Sequence, residues 1–343
     1  MSDMPVIDVS ALRTDPDVRS AYGRAVAEAV DQACRDSGFF LVTGHGVDED
    51  RYRCLDRAAR RFFALPASAK EEVAMARGGR AWRGWFPEGG ELTSGRPDRK
   101  EGLYLGEDLR LDDPRVLDGR PLHGPNLLPD ALVPELRGAV DGWIAAMTGL
   151  GHLLVRALGV GLGLTPSWFD EHLTAEPTIL LRVFRYPAAG DEEGWGVGEH
   201  TDYGLLTILA HDGRPGLEVR TTGGWTPVPA VDGSFVVNIG DMLDRMTGGR
   251  YRSTPHRVRS VGVPGDDDRI SIPFFFDPSW TAEVAPIPLT GPPPADDRSS
   301  RWDGASVHDG RGPYGDYLTA KVARVFPGLS TEVLPGDVAP SAD

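Results

Sequence analysis

The stretch His200-Thr201-Asp202-Tyr203-Gly204-Leu205-Leu206-Thr207-Ile208-Leu209 sets a polar triplet against the start of an apolar run. That run is one of a series. Residues 179–186, 205–210, 217–220, 235–239, 257–261 and 269–276 are all short and rich in branched and aromatic residues. Gly, Pro and Asp turns separate them. Many short strands at close spacing predict a β-sandwich or barrel. A polar triplet between Gly198 and the 205–209 run then falls where a site at the mouth of a barrel would lie.

Upstream the periodicity changes. Residues 4–9 read as an opening strand. Residues 20–36 carry Tyr22, Val26, Val30, Ala33 and Cys34 at helical spacing, with Gly38 as a stop signal. Residues 39–42 form a buried-type strand, Gly44-His45-Gly46 a turn, and residues 50–63 a second helix closed by Leu65-Pro66. Residues 78–97 are rich in Gly and Trp and read as a loop. Between 129 and 164, Leu136, Val140, Trp143, Ile144, Met147, Leu150, Leu154 and Leu158 repeat every three or four positions. That stripe predicts the longest helix, laid against a sheet. Residues 286–297 are a Pro- and Asp-rich loop, and 314–326 a last short helix. The expected class is mixed α+β, with residues 1–130 an N-terminal helical and strand region and 131–343 the long helix, the β-core and the C-terminal helix. A long helix that needs the sheet to cover it implies a single folding unit.

Bulk properties narrow the function. The formal charge of −15 argues against non-specific nucleic-acid binding and against docking on anionic membranes. No apolar run reaches about 18 residues, so no membrane-spanning helix is expected. Residues 1–10 lack the basic and apolar regions of a secretory signal. Two cysteines, Cys34 and Cys54, make neither a disulfide framework nor a Cys-rich metal site. A cytoplasmic setting is expected.

Chemistry concentrates in a few residues. On a strand, side chains two apart share a face, so His200 and Asp202 can aim an imidazole and a carboxylate at one ion. His256 would arrive from another strand. Two imidazoles and one carboxylate are the ligand set of a non-haem iron(II) site with open positions; a satisfied histidine in a surface loop is the bland alternative. Arg269 and Ser271 alternate on a strand that runs into Ile272-Pro273-Phe274-Phe275-Phe276. A guanidinium buried there needs a partner, and a carboxylate held bidentately suits it. An internal Asp or Glu is the other candidate. A second Arg-x-Ser at 298–300 has no apolar flanks and is set aside. Tyr186 could offer a phenol to the same carboxylate. Arg182, Phe184 and Tyr186 share one face, so Arg182 could bind a substrate acid or make a structural ion pair. Arg182 and Arg185 together hint at an acidic substrate. Trp82, Trp85, Phe86, Trp195 and Trp280 could line an apolar pocket, although core packing is their more ordinary use. Among these residues, Arg182, Phe184 and Trp195 are the candidate substrate contacts. His45, His123, His152, His172, His211 and His308 read as structural or solvated, and Asp266-Asp267-Asp268 as an exposed turn.

These blocks resemble a known family. Residues 236–241 (Val-Val-Asn-Ile-Gly-Asp) and 249–258 (Gly-Arg-Tyr-Arg-Ser-Thr-Pro-His-Arg-Val) look like the segment around the distal iron histidine of the isopenicillin N synthase-like iron(II)/2-oxoglutarate oxygenases. Residues 200–209 resemble the proximal block, and 269–275 the co-substrate strand. Pro5-Val6-Ile7-Asp8, Gly38-Phe39-Phe40, His45-Gly46-Val47, residues 62–66 and Gly124-Pro125-Asn126 resemble the family's N-terminal region, so the match spans almost the whole chain in order. One place departs from it. Plant members often carry Asn two residues before the Tyr-Pro-Pro tyrosine; here that position is Phe184, and Ala188 follows Pro187. The pattern is nearer to bacterial antibiotic-pathway members.

The resemblance implies a double-stranded β-helix (jelly-roll) core with flanking helices. It also implies iron on His200, Asp202 and His256, and 2-oxoglutarate with its distal carboxylate on Arg269 and Ser271, joined by Tyr186. With dioxygen, such a centre oxidises a small molecule by hydroxylation, desaturation, cyclisation or epoxidation. The expected setting is bacterial specialised metabolism, with antibiotic biosynthesis as its type, and a monomer is compatible with it. An iron oxidase of the same fold that does not use 2-oxoglutarate is the nearest alternative. A zinc hydrolase or a non-catalytic jelly-roll binding protein is more remote.

Overall fold

The apolar alternation read from the strands requires two faces, one inward and one covered. In the computed structural model, which describes residues 4–93, 95–188, 195–259, 268–289 and 312–328, both faces are present. Asp266, Asp267, the second Arg-x-Ser, His308 and most of the Pro- and Asp-rich loop lie outside the described residues.

The N-terminal strands are β1 (Val6–Asp8), β2 (Phe39–Thr43), β3 (Gly84–Phe86), β4 (Leu92–Thr93), β5 (Arg96–Pro97) and β6 (Glu101–Gly106). After the long helix come β7 (Pro177–Tyr186), β8 (Trp195–His200), β9 (Leu206–His211) and β10 (Leu217–Thr221). They are followed by β11 (Gly224–Pro227), β12 (Phe235–Ile239), β13 (His256–Arg259) and β14 (Arg269–Ser279). One large sheet has the order β1-β2-β12-β9-β14-β7-β6-β3, a smaller one β11-β10-β13-β8, and β4 pairs with β5. β1 runs parallel to β2; the other pairings of the two larger sheets are antiparallel. Both sheets face one cavity, lined by β7, β9, β12 and β14 on one side and by β8, β10 and β13 on the other. This is the expected jelly-roll core in a mixed α+β chain.

Strand β14 shows how the two faces are used. Ser271, Pro273, Phe275 and Asp277 line the cavity. Ile270, Ile272, Phe274 and Phe276, between them, are buried on the opposite face. The helix Glu135–Gly161 covers that second face with the predicted stripe. Each large apolar side chain buried there stabilises the fold by roughly 1.5–3 kcal/mol. The helix comes so close that a Cβ at Gly151 would sit 2.5 Å from the Phe276 ring. It is also long and apolar enough to cross a membrane, which a count of uninterrupted apolar residues did not register; half of its most apolar stretch is buried inside the protein. Helices Ala21–Asp36 and Glu49–Phe63 pack on its other side.

The N-terminal region also supplies β1, β2, β3 and β6 to the same sheet as the C-terminal strands. The segment read as a loop at 78–97 is instead the 3-10 helix Met75–Ala81 followed by β3 to β5. Strand β6 is wholly buried yet was not foreseen, because Glu101, Gly102 and Gly106 mask its β-type composition. Two glycines do the same for β8.

Candidate metal and co-substrate site

The three candidate ligands come from the join between the sheets. His200 is the last residue of β8, and His256, the first of β13, lies directly opposite it in the register. Asp202 lies beyond the strand, in the link to β9, and not on a continuous strand with His200 as alternation suggested. The chain turns there because the Asp241 amide donates to the Asp202 carbonyl (2.8 Å) and the Gly240 amide to that of Leu205 (3.0 Å). The turn carries Asp202 to the same point by a different route. His200 Nε2 is 4.0 Å and His256 Nε2 3.8 Å from Asp202 Oδ1. The ligand atoms of all three residues lie within 4.8 Å of one another.

Neighbouring groups orient each ligand. His200 Nδ1 donates to the Gly198 carbonyl at 2.8 Å, and His256 Nδ1 to that of Thr254 at 3.2 Å. A carbonyl can only accept, so the proton stays on Nδ1 and Nε2 keeps its lone pair. Asp202 Oδ2 accepts from Asn238 Nδ2 (2.7 Å) and from the Thr207 hydroxyl, which leaves Oδ1 facing the imidazoles. Burial, and then the nearby His256, push the His200 pKa below its ordinary value. Burial alone would raise the Asp202 carboxyl; the two imidazoles and the Asn238 and Thr207 donors outweigh it and hold it below its ordinary value. A neutral imidazole beside an ionised carboxylate is the state in which these groups bind a metal. Asn238 and Thr207 were not assigned a role from sequence. Asn238 stands out as the single polar residue in Phe-Val-Val-Asn-Ile, which is the signal that could have found it.

The co-substrate candidates converge as well. Arg269 pairs with Tyr186 and Ser271 with Phe184 across the β14–β7 ladder. Tyr186 and Ser271 line the cavity, about 360 Å³ in volume, that also holds His200, Asp202 and His256. Arg269 lies beside Tyr186, its guanidinium carbon 4.8 Å from the ring centre, and is only 9% exposed. Its Nε and Nη1 are buried without a hydrogen-bond partner. Among the described residues no Asp or Glu pairs with it, so the internal salt bridge is absent and an acceptor is wanted.

Further along β7, Arg182 and Phe184 line the same cavity. Arg182 is also ion-paired, its Nη1 3.4 Å from Glu91 Oε1. Trp195 does not join them: 38% exposed, it stacks on the guanidinium of Arg257 at 4.3 Å and is not among the lining residues. The side chain at the first position of β8 points out of the cavity that Val197 and His200 enter. Trp82, Trp85 and Phe86 are buried in the core, as their ordinary use predicts. Glu91, Lys100, Tyr203, Asp277 and Lys321 line the cavity and were not singled out from sequence. Of the other histidines, His45 bonds the Gly233 carbonyl (3.0 Å) and His152 the Asp170 carboxylate (2.7 Å), both away from the cavity.

Comparison with known proteins agrees with this geometry. Residues 4–131 match the profile described as non-haem dioxygenase in morphine synthesis N-terminal, and residues 177–278 that of the 2OG-Fe(II) oxygenase superfamily. A probable iron/ascorbate oxidoreductase of Dictyostelium discoideum is 42% identical over 358 residues, covering 97% of this chain and 98% of that protein. The 2-oxoglutarate-dependent dioxygenase citB of Monascus ruber is 34% identical, covering 84% of this chain and 88% of its own length. Among solved structures, a full-length Neurospora crassa protein in complex with alpha-KG and thymine superimposes with a TM-score of 0.74 at 26% identity. That match covers 94% of this chain and 96% of the Neurospora one.

Proposed function

The chain belongs to the 2OG-Fe(II) oxygenase superfamily, and on that premise we propose that it holds iron(II) on His200, Asp202 and His256 and oxidises a small molecule of specialised metabolism. It is an oxidoreductase that uses iron(II), 2-oxoglutarate and dioxygen. In our reading Arg269 and Ser271, with Tyr186, take the distal carboxylate of 2-oxoglutarate, and Arg182 and Phe184 contact the substrate.

The observation that carries this is the buried Arg269 guanidinium, whose Nε and Nη1 have no hydrogen-bond partner among the described residues, beside the three-ligand cluster. A buried cation without an acceptor is costly, and a carboxylate that brings two oxygens offsets that cost. The donor set itself suits iron(II), because three ligands on one side leave positions for co-substrate and oxygen. Bound there, iron(II) would supply oxygen activation coupled to oxidative decarboxylation of 2-oxoglutarate.

The protein's own residues do the remaining work. The two histidines present Nε2, and Asp202 presents Oδ1, in an orientation set before any ion arrives. The cavity walls, largely apolar at Phe39, Leu209, Val258 and Pro273, exclude water and hold the target carbon near the ligand cluster. Hydroxylation, desaturation, cyclisation and epoxidation are all open to such a site. A small-molecule substrate is supported by the thymine in the Neurospora structure. A bacterial antibiotic pathway rests on the local Arg185-Tyr186-Pro187 pattern, and the relatives compared come from Dictyostelium and fungi. We place the enzyme in the cytoplasm on its composition.

His200→Ala and Asp202→Ala should each abolish iron binding and substrate-stimulated succinate release. Full turnover by either variant would overturn the ligand assignment.

A further inference from the structure

Arg182 meets its acid inside the protein. Glu91 Oε1 accepts from Arg182 Nη1 and from the Tyr104 hydroxyl, while Glu91 Oε2 lies 2.8 Å from Lys100 Nζ. Lys100 also pairs with Asp98. Two acids and two bases, with Glu91, Asp98 and Lys100 buried and Arg182 nearly so, therefore form one cluster of zero net charge at the cavity wall. Burial opposes ionisation of Glu91, but Lys100 and Arg182 outweigh it and hold the carboxyl at about 2, so its negative charge is present at neutral pH.

The rest of the cavity is balanced in the same way. Lys321 faces Asp241 at 3.8 Å. Arg324 also lines the cavity but is exposed to solvent, where its charge is screened. In the proposed loading, iron(II) with Asp202 leaves one net positive charge, and 2-oxoglutarate with Arg269 one net negative charge. Asp277, buried and bonded by Tyr314, is pushed up to about 7 by burial and adds a carboxyl that is partly protonated near neutrality. An anionic substrate would bring a surplus charge into this site, close to ionised Glu91, and a buried charge without a partner is strongly disfavoured.

Arg182 nevertheless wants an acceptor. It makes one hydrogen bond to the described residues, at 3.4 Å, and its Nε is buried with none. Tyr104 and Phe275 lie against the guanidinium, with ring centres 4.2 and 4.8 Å from its carbon. With rings against its faces, its edge is what remains for a ligand.

We propose that the substrate is uncharged where it meets Arg182: a flat amide, imide, lactam or ketone whose carbonyl oxygen accepts from the guanidinium edge. Glu91 is then the specificity-determining residue, because it cancels the charge that would otherwise select a carboxylate. The proposal rests on the iron and 2-oxoglutarate reading for the position of the substrate and for the charge of the loaded site.

Benzamide and benzoate have nearly the same shape and differ in charge. Their binding to the full chain, loaded with iron(II) and 2-oxoglutarate under anaerobic conditions, is read by titration calorimetry. Benzamide should bind about ten-fold or more tightly than benzoate, the size of effect expected of an uncompensated charge in a partly buried site. Glu91→Gln should raise benzoate affinity by about ten-fold and leave benzamide within about three-fold. Equal or tighter binding of benzoate by the wild type, no binding of benzamide, or a selectivity unmoved by Glu91→Gln overturns the proposal. The wild-type comparison stands even if the variant does not fold. Succinate formed from 2-oxoglutarate without substrate reports separately on the co-substrate site, so failure of that reading is distinguishable from failure of this one.

Discussion

Asn238→Leu keeps the size of a buried side chain on β12 and removes the Nδ2 donor that lies 2.7 Å from Asp202 Oδ2. A charge-assisted hydrogen bond of this kind contributes about 1.5–3 kcal/mol. At 1.4 kcal/mol per decade that corresponds to roughly 10- to 150-fold in the affinity of whatever the carboxylate binds. Thr207 sits opposite Asn238 in the β12–β9 register and still donates to the same oxygen, so the loss should fall in the lower part of that range. We expect iron(II) affinity to drop by about 10- to 50-fold, in line with other residues that orient a metal ligand. Anaerobic competition against a chelator of known affinity measures it, and thermal unfolding of the metal-free protein measures the cost to the sheet. A lowered melting temperature with metal affinity unchanged within about three-fold would mean that Asn238 only packs the strand, and the argument would fail.

Arg269→Gln should raise the 2-oxoglutarate KM by about 100-fold, the worth of a lost buried charge pair, while metal affinity holds; steady-state kinetics with varied co-substrate checks this. The Asp277 carboxyl stands at about 7 against an ordinary 3.8, so the folded protein binds the extra proton and stability falls as pH rises from about 4 to about 7. Asp277→Asn removes that slope. Relative to the variant, the wild type should therefore lose on the order of 3–4 kcal/mol between pH 4 and pH 8, measured by urea unfolding. Gly240→Ala would put a Cβ 2.5 Å from the Gly204 carbonyl oxygen, backbone that cannot swing away, and should lower stability by about 2 kcal/mol or more. Gly138→Ala, on the helix Glu135–Gly161 with nothing within 4 Å, should raise it by up to about 1 kcal/mol. Because strands from both halves share one sheet, we infer a single folding unit, and calorimetry should record one cooperative transition.

Local pattern was readable wherever it was strong. The stripe from Leu136 to Leu158 carried the long helix, and the alternation in β7 and β14 put Arg182, Phe184 and Tyr186, then Ser271, on the cavity side. It failed where composition hides geometry. Strand β6 is buried but carries two glycines and a glutamate. Trp195 is an aromatic residue beside the site that points outward. Asn238 and Glu91 were passed over because a polar residue in sequence does not announce which charge it will meet.

From the sequence alone came the ligand types, their order, the arginine two residues from a serine, and the strands that carry them. These follow from side-chain chemistry and from periods of two and 3.6, which are local. Only the tertiary structure decided that Asp202 leaves its strand to reach the histidines, that Arg269 has no acid partner among the described residues, and that Arg182 has one. Each depends on register and burial between segments far apart in the chain. A buried charge takes its meaning from the partner that folding brings to it.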